Sequence, residues 1–248
     1  MTDMPLIPET LSRGLPVKGS RAMMREVLAP IEGLRIADLG CGDGTWVRFL
    51  TGEGATVVGC DPNPRQLDKA KATPPVGGER YVSAGAEAVP LDAGSQDVAL
   101  FFNSLHHVPE HLMAPAVAEA ARITRPGGRV VAFEPVARGA NYELGKPVDD
   151  EIQVRALAHR ALHDAARAED IPLSLDREFE YVTVSKKRDF ETWREQQVRI
   201  SPGRAATFEA DEAGLRGHFE QVLSDLPRDE DGTILLDQPM RCTILLRT

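Results

Sequence analysis

Ile36-Ala37-Asp38-Leu39-Gly40-Cys41-Gly42-Asp43-Gly44 joins a short apolar run to a loop with glycine at every second position, and a helical pattern of Thr45, Trp46, Val47, Phe49 and Leu50 follows. Glycine lets a backbone turn sharply and approach a ligand with no Cβ in the way. The first turn of the following helix offers N–H groups that have no partner within the helix. Strand, glycine loop and helix in that order predict a cradle for a nucleotide-type cofactor in an α/β sheet.

Two details bear on which cofactor. A nicotinamide dinucleotide loop spaces its glycines as G-x-G-x-x-G, the third packing helix against strand. Here the third glycine, Gly44, comes one residue early, and Thr45 holds the expected place. Asp38 lies inside the strand end, two residues before the first glycine. A carboxylate there suits a ligand with an ammonium group and repels a pyrophosphate. S-adenosylmethionine has such a group and no phosphate. The stretch resembles motif I of the class I S-adenosylmethionine-dependent methyltransferases, and the resemblance places Asp38, Gly40, Cys41, Gly42 and Gly44 against the cofactor.

Neighbouring segments extend the likeness. Ala55-Thr56-Val57-Val58-Gly59-Cys60-Asp61 is a β-branched run ending in an acid, 23 residues after Asp38. A carboxylate at the tip of a second strand accepts hydrogen bonds from ribose hydroxyls; Asp61 before Pro62-Asn63-Pro64 also suits a helix cap, and both roles are compatible. Pro62 is placed beside the cofactor with it. Tyr81 to Leu91 resembles the family's third-strand segment, with Gly85 where an adenine-contacting Asp is common, so that contact is expected from Glu87 or from the backbone around Ala86. Gln96 to Val108 resembles the fourth strand and its loop, putting Asn103 and Ser104 beneath the methionine part of the cofactor. Arg125-Pro126-Gly127-Gly128 reads as a tight turn before a fifth strand ending at Glu134. The matching segments run from about residue 33 to 136, and a looser likeness is to small-molecule methyltransferases of the ubiquinone and menaquinone type.

Composition sets the wider bounds. The chain has 248 residues and a net charge of −9, so a broad basic surface for nucleic acid is not expected. No apolar run approaches the ~20 residues that span a bilayer, and the polar, proline-interrupted stretch from Met1 to Leu15 lacks a leader pattern. A cytoplasmic protein is expected; self-association as a homodimer is left open. Cys41, Cys60 and Cys242 are read as buried, unreactive thiols.

Alternating strands and helices to about residue 136 predict a doubly wound, mostly parallel seven-stranded sheet, a Rossmann-like methyltransferase fold with helical cap insertions. The expected division is a single methyltransferase domain: residues 1–30 a tail and helix, 31–136 a cofactor-binding half, and 137–248 a substrate-side half with insertions at 137–176 and 186–230. Residues 136–148 read as a loop, 149–170 as helical, and 178–185 as the sixth strand. Residues 190–198 and 205–223 read as helical. Two short runs, 233–236 and 240–246, are separated by Asp237-Gln238-Pro239, and the resemblance makes the last an antiparallel seventh strand.

The chemistry that follows is transfer of a methyl group from S-adenosylmethionine to a small-molecule acceptor, by O-, N- or C-methylation. It is an in-line displacement whose rate depends mainly on alignment. A base is needed only where the nucleophile must lose a proton. His106 is a candidate base and Glu134 a candidate substrate contact, or a cap for its loop. His107 more simply positions the next helix. His106, His107 and His111 lack a carboxylate or cysteine at ligand spacing, so no metal is expected. Tyr142, Trp193, Arg199, Asp237, Gln238 and Arg241 are candidates for an acceptor pocket, with Trp193 favoured as core. Three other readings remain: a non-catalytic partner that binds the cofactor, an NAD-linked oxidoreductase, which the glycine spacing disfavours, and non-methyl chemistry on the same cofactor.

Overall fold

The structure, a computed structural model, describes residues 14–248; most of the amino-terminal stretch read as lacking a leader lies outside the described residues. The chain divides into two compact units. The larger holds 24–134, 154–179 and 241–248; the smaller holds 135–153, 180–240 and the described residues before Met24. Seven strands form one sheet in the order β3-β2-β1-β4-β5-β7-β6.

In chain order, α1 (Ser20–Leu28) precedes β1 (Arg35–Leu39), α2 (Thr45–Gly52), β2 (Thr56–Asp61), α3 (Pro64–Ala72), β3 (Arg80–Ser83), β4 (Gln96–Phe102), α4 (Glu110–Ile123) and β5 (Thr124–Pro135). β1 pairs in parallel with β2 and β4, β2 with β3, and β4 with β5. Ile36 to Leu39 are all buried, because helices cover both faces of such a sheet and its strands need apolar residues throughout. Asp38 is the polar exception among these buried residues. The core between α4 and the sheet is built from Leu39, Phe101, Leu105, Met113, Val117 and Ala132. Because the chain steps outward from β1 to β3 and then returns to place β4 on the other side of β1, the connections after β1 and β4 diverge. That divergence opens a crevice at the carboxyl ends of these strands.

The expected parallel character holds for β1 to β5, but the sheet as a whole is mixed. The residues Arg125 to Gly128, read as a turn, belong to β5, which pairs with β4 across a register shift between Gln96 and Val98. Gly127, at φ 74°, absorbs that irregularity.

Several later boundaries differ from the sequence reading. The stretch read as a loop contains a short helix, α5 (Ala140–Gly145), and the next helix, α6, is confined to Ile152–Ala165. β6 runs from Leu173 to Lys187, longer at both ends than expected. The single helix read at 205–223 is two, α8 (Arg204–Ala210) and α9 (Glu212–Leu223), because the Asp211 side chain accepts the Gly214 N–H and starts a new helix. They follow α7 (Phe190–Ile200). β7 is one strand, Ile234–Arg247, and passes through Asp237-Gln238-Pro239. Those residues do not break it because their polar groups are satisfied. Asp237 accepts the Ala140 N–H at 2.8 Å, Gln238 accepts from Asn141 Nδ2 at 2.9 Å, and the Pro239 carbonyl accepts the Val136 N–H. The core of the smaller unit is a cluster of Phe190, Trp193, Phe208, Phe219, Leu223 and Leu236, in which Trp193 and Phe208 meet edge to face at 5.2 Å.

Candidate functional site

The loop after β1 is pinned from three sides. Gly40 and Cys41 both donate to the Cys60 carbonyl, at 2.7 and 3.0 Å, which ties the loop to the end of β2. The Ser104 hydroxyl donates to the Leu39 carbonyl at 2.6 Å, which ties it to the loop after β4. Gly40 has φ 80°, and a Cβ there would come 2.6 Å from the Ser104 Cβ, so a side chain is excluded by conformation and by contact. Gly42, at φ 55°, has nothing within 4 Å of a notional Cβ. Its open side is where a ligand can lie close to the backbone.

Arg48 and Tyr81 complete the frame. Arg48 donates to the Asp43 carbonyl at 3.0 Å and to the Tyr81 hydroxyl at 3.3 Å, and the Tyr81 ring fills the space a side chain at Gly44 would need. Neither residue was singled out from the sequence. They meet across 33 positions, and no short motif encodes that pairing.

Two carboxylates stand at this loop. Asp38 is buried, and its Oδ2 has no hydrogen-bond partner among the described residues. Burial, with the nearby Asp61 charge adding to it, pushes its carboxyl up to about 7. Asp61 differs: its Oδ2 accepts the Gly42 N–H at 2.9 Å and its Oδ1 the Asn63 N–H at 2.8 Å. The cap of α3 is Asn63, whose side chain accepts the Arg65 N–H, so Asp61 is not the cap itself. Pro62 is exposed beside it.

Cys41, Cys60 and Cys242 are buried and free. Burial first, and neighbouring carboxylates second, push the Cys41 thiol far up; burial takes the Cys60 and Cys242 thiols up to about 12. None of the three is a nucleophile at neutral pH.

The loop after β4 carries the only non-glycine residue with positive φ among the described residues, Asn103 at 51°. Its N–H donates to the Phe133 carbonyl at 2.8 Å, and its side chain is exposed while Ser104 behind it is buried. A left-handed residue here turns the chain sharply at the crevice.

Glu134 reaches across from β5 and fastens the same loop. Its Oε1 accepts the Ser104 and Leu105 N–H groups at 3.1 and 2.9 Å, and its Oε2 contacts His106 Nδ1. Both side chains are buried. Burial alone would raise the Glu134 carboxyl, but the adjacent His106 and the two backbone donors outweigh it and hold the group below the usual carboxylate range. An ionised Glu134 takes a proton donor at Nδ1, which leaves the basic lone pair of His106 on Nε2. His107 is exposed, its ring 4.0 Å from that of His106, and His111 is exposed on α4.

The structure thus brings together Asp38, Gly40, Gly42, Gly44, Asp61, Asn103, Ser104, His106 and Glu134 in the larger unit. Ala86 is buried in its core and Glu87 is half-buried, folded back toward Gly85. The other pocket candidates have the following surroundings. Trp193 is core, Tyr142 is buried with its hydroxyl 2.7 Å from Asp150, and Arg199 is exposed. Asp237 and Gln238 serve the start of α5 as described, and Arg241 lies 4.0 Å from Glu178.

The chain is similar to known proteins in sequence and in fold. Residues 37–132 match the family described as "Methyltransferase domain". An uncharacterised methyltransferase of Synechocystis sp. is 32% identical over 123 residues, covering 50% of this chain and 57% of that protein. A ubiquinone biosynthesis O-methyltransferase of Thiobacillus denitrificans is 34% identical over 143 residues, 56% of this chain and 60% of that one. The chain spans about half the length of the curated relatives it matches. Among solved structures, a candidate methyltransferase of Bacillus halodurans C-125 shares the fold with a TM-score of 0.62 at 15% identity, over 92% of this chain and 98% of that one. The similarity to methyltransferases holds for residues 37–132 by the family match and for the fold by the solved structure. Among the described residues no helix is long and apolar enough to cross a membrane.

Proposed function

We propose that this chain transfers a methyl group from S-adenosylmethionine to a small-molecule acceptor. The observation that carries the reading is Asp38: a buried carboxylate with an oxygen that has no partner among the described residues, beside a glycine loop open at Gly42. Such a group asks for a cationic donor, and two carboxylates at one loop disfavour a phosphate-bearing ligand. The residues fit the cofactor on that count. Asp38 would hold its ammonium group, Asp61 its ribose hydroxyls, and the backbone at Gly40, Cys41, Gly42 and Gly44 would lie along it. Pro62, Ala86 and Glu87 are assigned to the adenosine side, and Asn103 and Ser104 to the methionine side. When bound, the cofactor supplies an electrophilic methyl on a sulfonium.

For an acceptor whose nucleophile must lose a proton, His106 takes it on Nε2. Glu134 fixes the tautomer through Nδ1 and stabilises the imidazolium that results. Glu134 acts through His106 and the loop, since its oxygens are engaged by Ser104, Leu105 and His106. The whole chain is read as one methyltransferase, with acceptor choice assigned to residues 137–248.

Calorimetry with S-adenosylmethionine, S-adenosylhomocysteine and NADH tests the binding half of the reading. Tight binding of the first two and none of NADH is expected. Formation of S-adenosylhomocysteine on adding a metabolite extract tests turnover. Binding without turnover would point instead to a non-catalytic partner, and NADH binding alone to an oxidoreductase.

A further inference from the structure

Away from that loop, the larger unit gathers a second set of titratable side chains that the reaction does not use. His159 and His163 lie one turn apart on α6, so both rings leave the same face of the helix. Glu178, on β6, meets them: its Oε2 is 3.2 Å from His159 Nε2 and 2.9 Å from His163 Nε2. The three ligand atoms all lie within 4.8 Å of one another. We propose that His159, His163 and Glu178 form a binding site for a divalent transition-metal ion of the zinc class, with water completing the coordination.

The geometry fits such an ion. Nitrogen and oxygen ligands bind zinc at ~2.0–2.1 Å, so ligand atoms on a tetrahedron stand ~3.3 Å apart. The two histidine–carboxylate distances are within a few tenths of an ångström of that spacing, and all three ligand atoms stay within 4.8 Å. Imidazole with one carboxylate is the donor set that zinc and copper prefer over the harder magnesium and calcium. Thr243 Oγ1 donates to Glu178 Oε2 at 2.8 Å and Arg241 Nε stands 4.0 Å from Oε1, so the carboxylate is oriented from β7 as an outer-sphere partner would orient it. Oε2, the oxygen nearer to both imidazoles, would be the ligating atom. All three side chains keep partial exposure, 33% for His159, 19% for His163 and 24% for Glu178, so an ion can enter from solvent. The site would staple α6 to β6.

The test is zinc titration of chelator-treated full-length protein by calorimetry in a buffer that does not bind metal, with a cobalt(II) absorption spectrum as a second readout. One ion per chain and a tetrahedral cobalt spectrum are expected. His163→Gln and Glu178→Gln should each weaken binding at least ~10-fold, as loss of metal-site partners does, whereas His111→Gln, on α4, should leave it unchanged. If a variant fails to fold, the wild-type spectrum and a zinc-dependent rise in melting temperature decide alone. No zinc binding by the wild type, or binding indifferent to both variants, overturns the proposal and leaves the cluster a hydrogen-bond network. Neither outcome bears on methyl transfer.

Discussion

Asp38 offers the sharpest measurement. Its carboxyl stands at about 7 in the ligand-free fold against an ordinary 3.8. A cofactor ammonium binds the ionised form, so binding and ionisation are coupled. With that value, about 3% of the protein is ionised at pH 5.5 and half at pH 7, so affinity should rise ~16-fold over the interval. The ligand's α-amino group stays protonated there, as its pKa lies near ~7.7–8.0. Asp38→Asn should abolish this dependence and weaken binding at pH 7 by ~1.5–3 kcal/mol, the worth of a hydrogen bond to a charged group.

Stability moves the other way. Because the folded pKa is raised, the folded state binds the proton more tightly than the unfolded chain does. Stability contributed by this group is fully present below pH 3.8 and is lost as pH climbs toward 7. Relative to the Asn variant, the ligand-free wild type should lose ~2 kcal/mol between pH 5.5 and pH 8. Calorimetric titrations and urea unfolding of both proteins at these pH values supply all the numbers. An affinity flat from pH 5.5 to 7, together with an Asn variant that binds as tightly as wild type, would refute the reasoning.

Three further outcomes follow from the same loops. His106→Gln should cut turnover of a proton-losing acceptor by ~10²–10⁴ while leaving cofactor affinity intact, and an unchanged rate would remove the base role. Gly40→Ala forces a positive φ on a residue with a Cβ and drives that atom onto Ser104; a loss of ~1–3 kcal/mol in urea unfolding, with weaker cofactor binding, is expected. The three cysteines should resist a disulfide reagent in the native protein and react only on unfolding, and rapid labelling of Cys41 in the fold would contradict its buried, proton-holding environment.

What could be read from the sequence was what short-range rules encode. The run to Leu39 and the glycines after it dictate strand, turn and helix locally, and Asp38 stands out as a carboxylate where its strand neighbours are apolar. Asp61 was legible as a strand-tip acid, though its partners, the Gly42 and Asn63 N–H groups, were not. Contacts that depend on chain return stayed hidden. Glu134 meets Ser104, Leu105 and His106 from 28 to 30 positions away, and Arg48 meets Tyr81 across 33. Asp237-Gln238-Pro239 looked like a break because polar residues and proline disfavour strand interiors. Ala140, Asn141 and Val136 answer each of them about a hundred positions upstream. The helix α5 escaped notice because six residues carry too little periodicity to register.

Asp38 and Glu134 show why burial alone does not decide a carboxylate's role. Both are almost wholly withdrawn from water, at 1% and 7% exposure, and for both burial is the largest influence and acts upward. They end on opposite sides of the ordinary range because of what surrounds them. Glu134 has two backbone donors and an imidazole, so its charge is compensated within the fold and it is held fixed as a structural anion that orients His106. Among the described residues Asp38 has an oxygen with no donor, and a like charge stands nearby, so its ionised form awaits a cation that those residues do not supply. In the proposed reaction the first carboxylate sets where a proton is taken, and the second sets which ligand can complete the crevice. An acid whose charge is satisfied internally positions; one whose charge is left unsatisfied recruits.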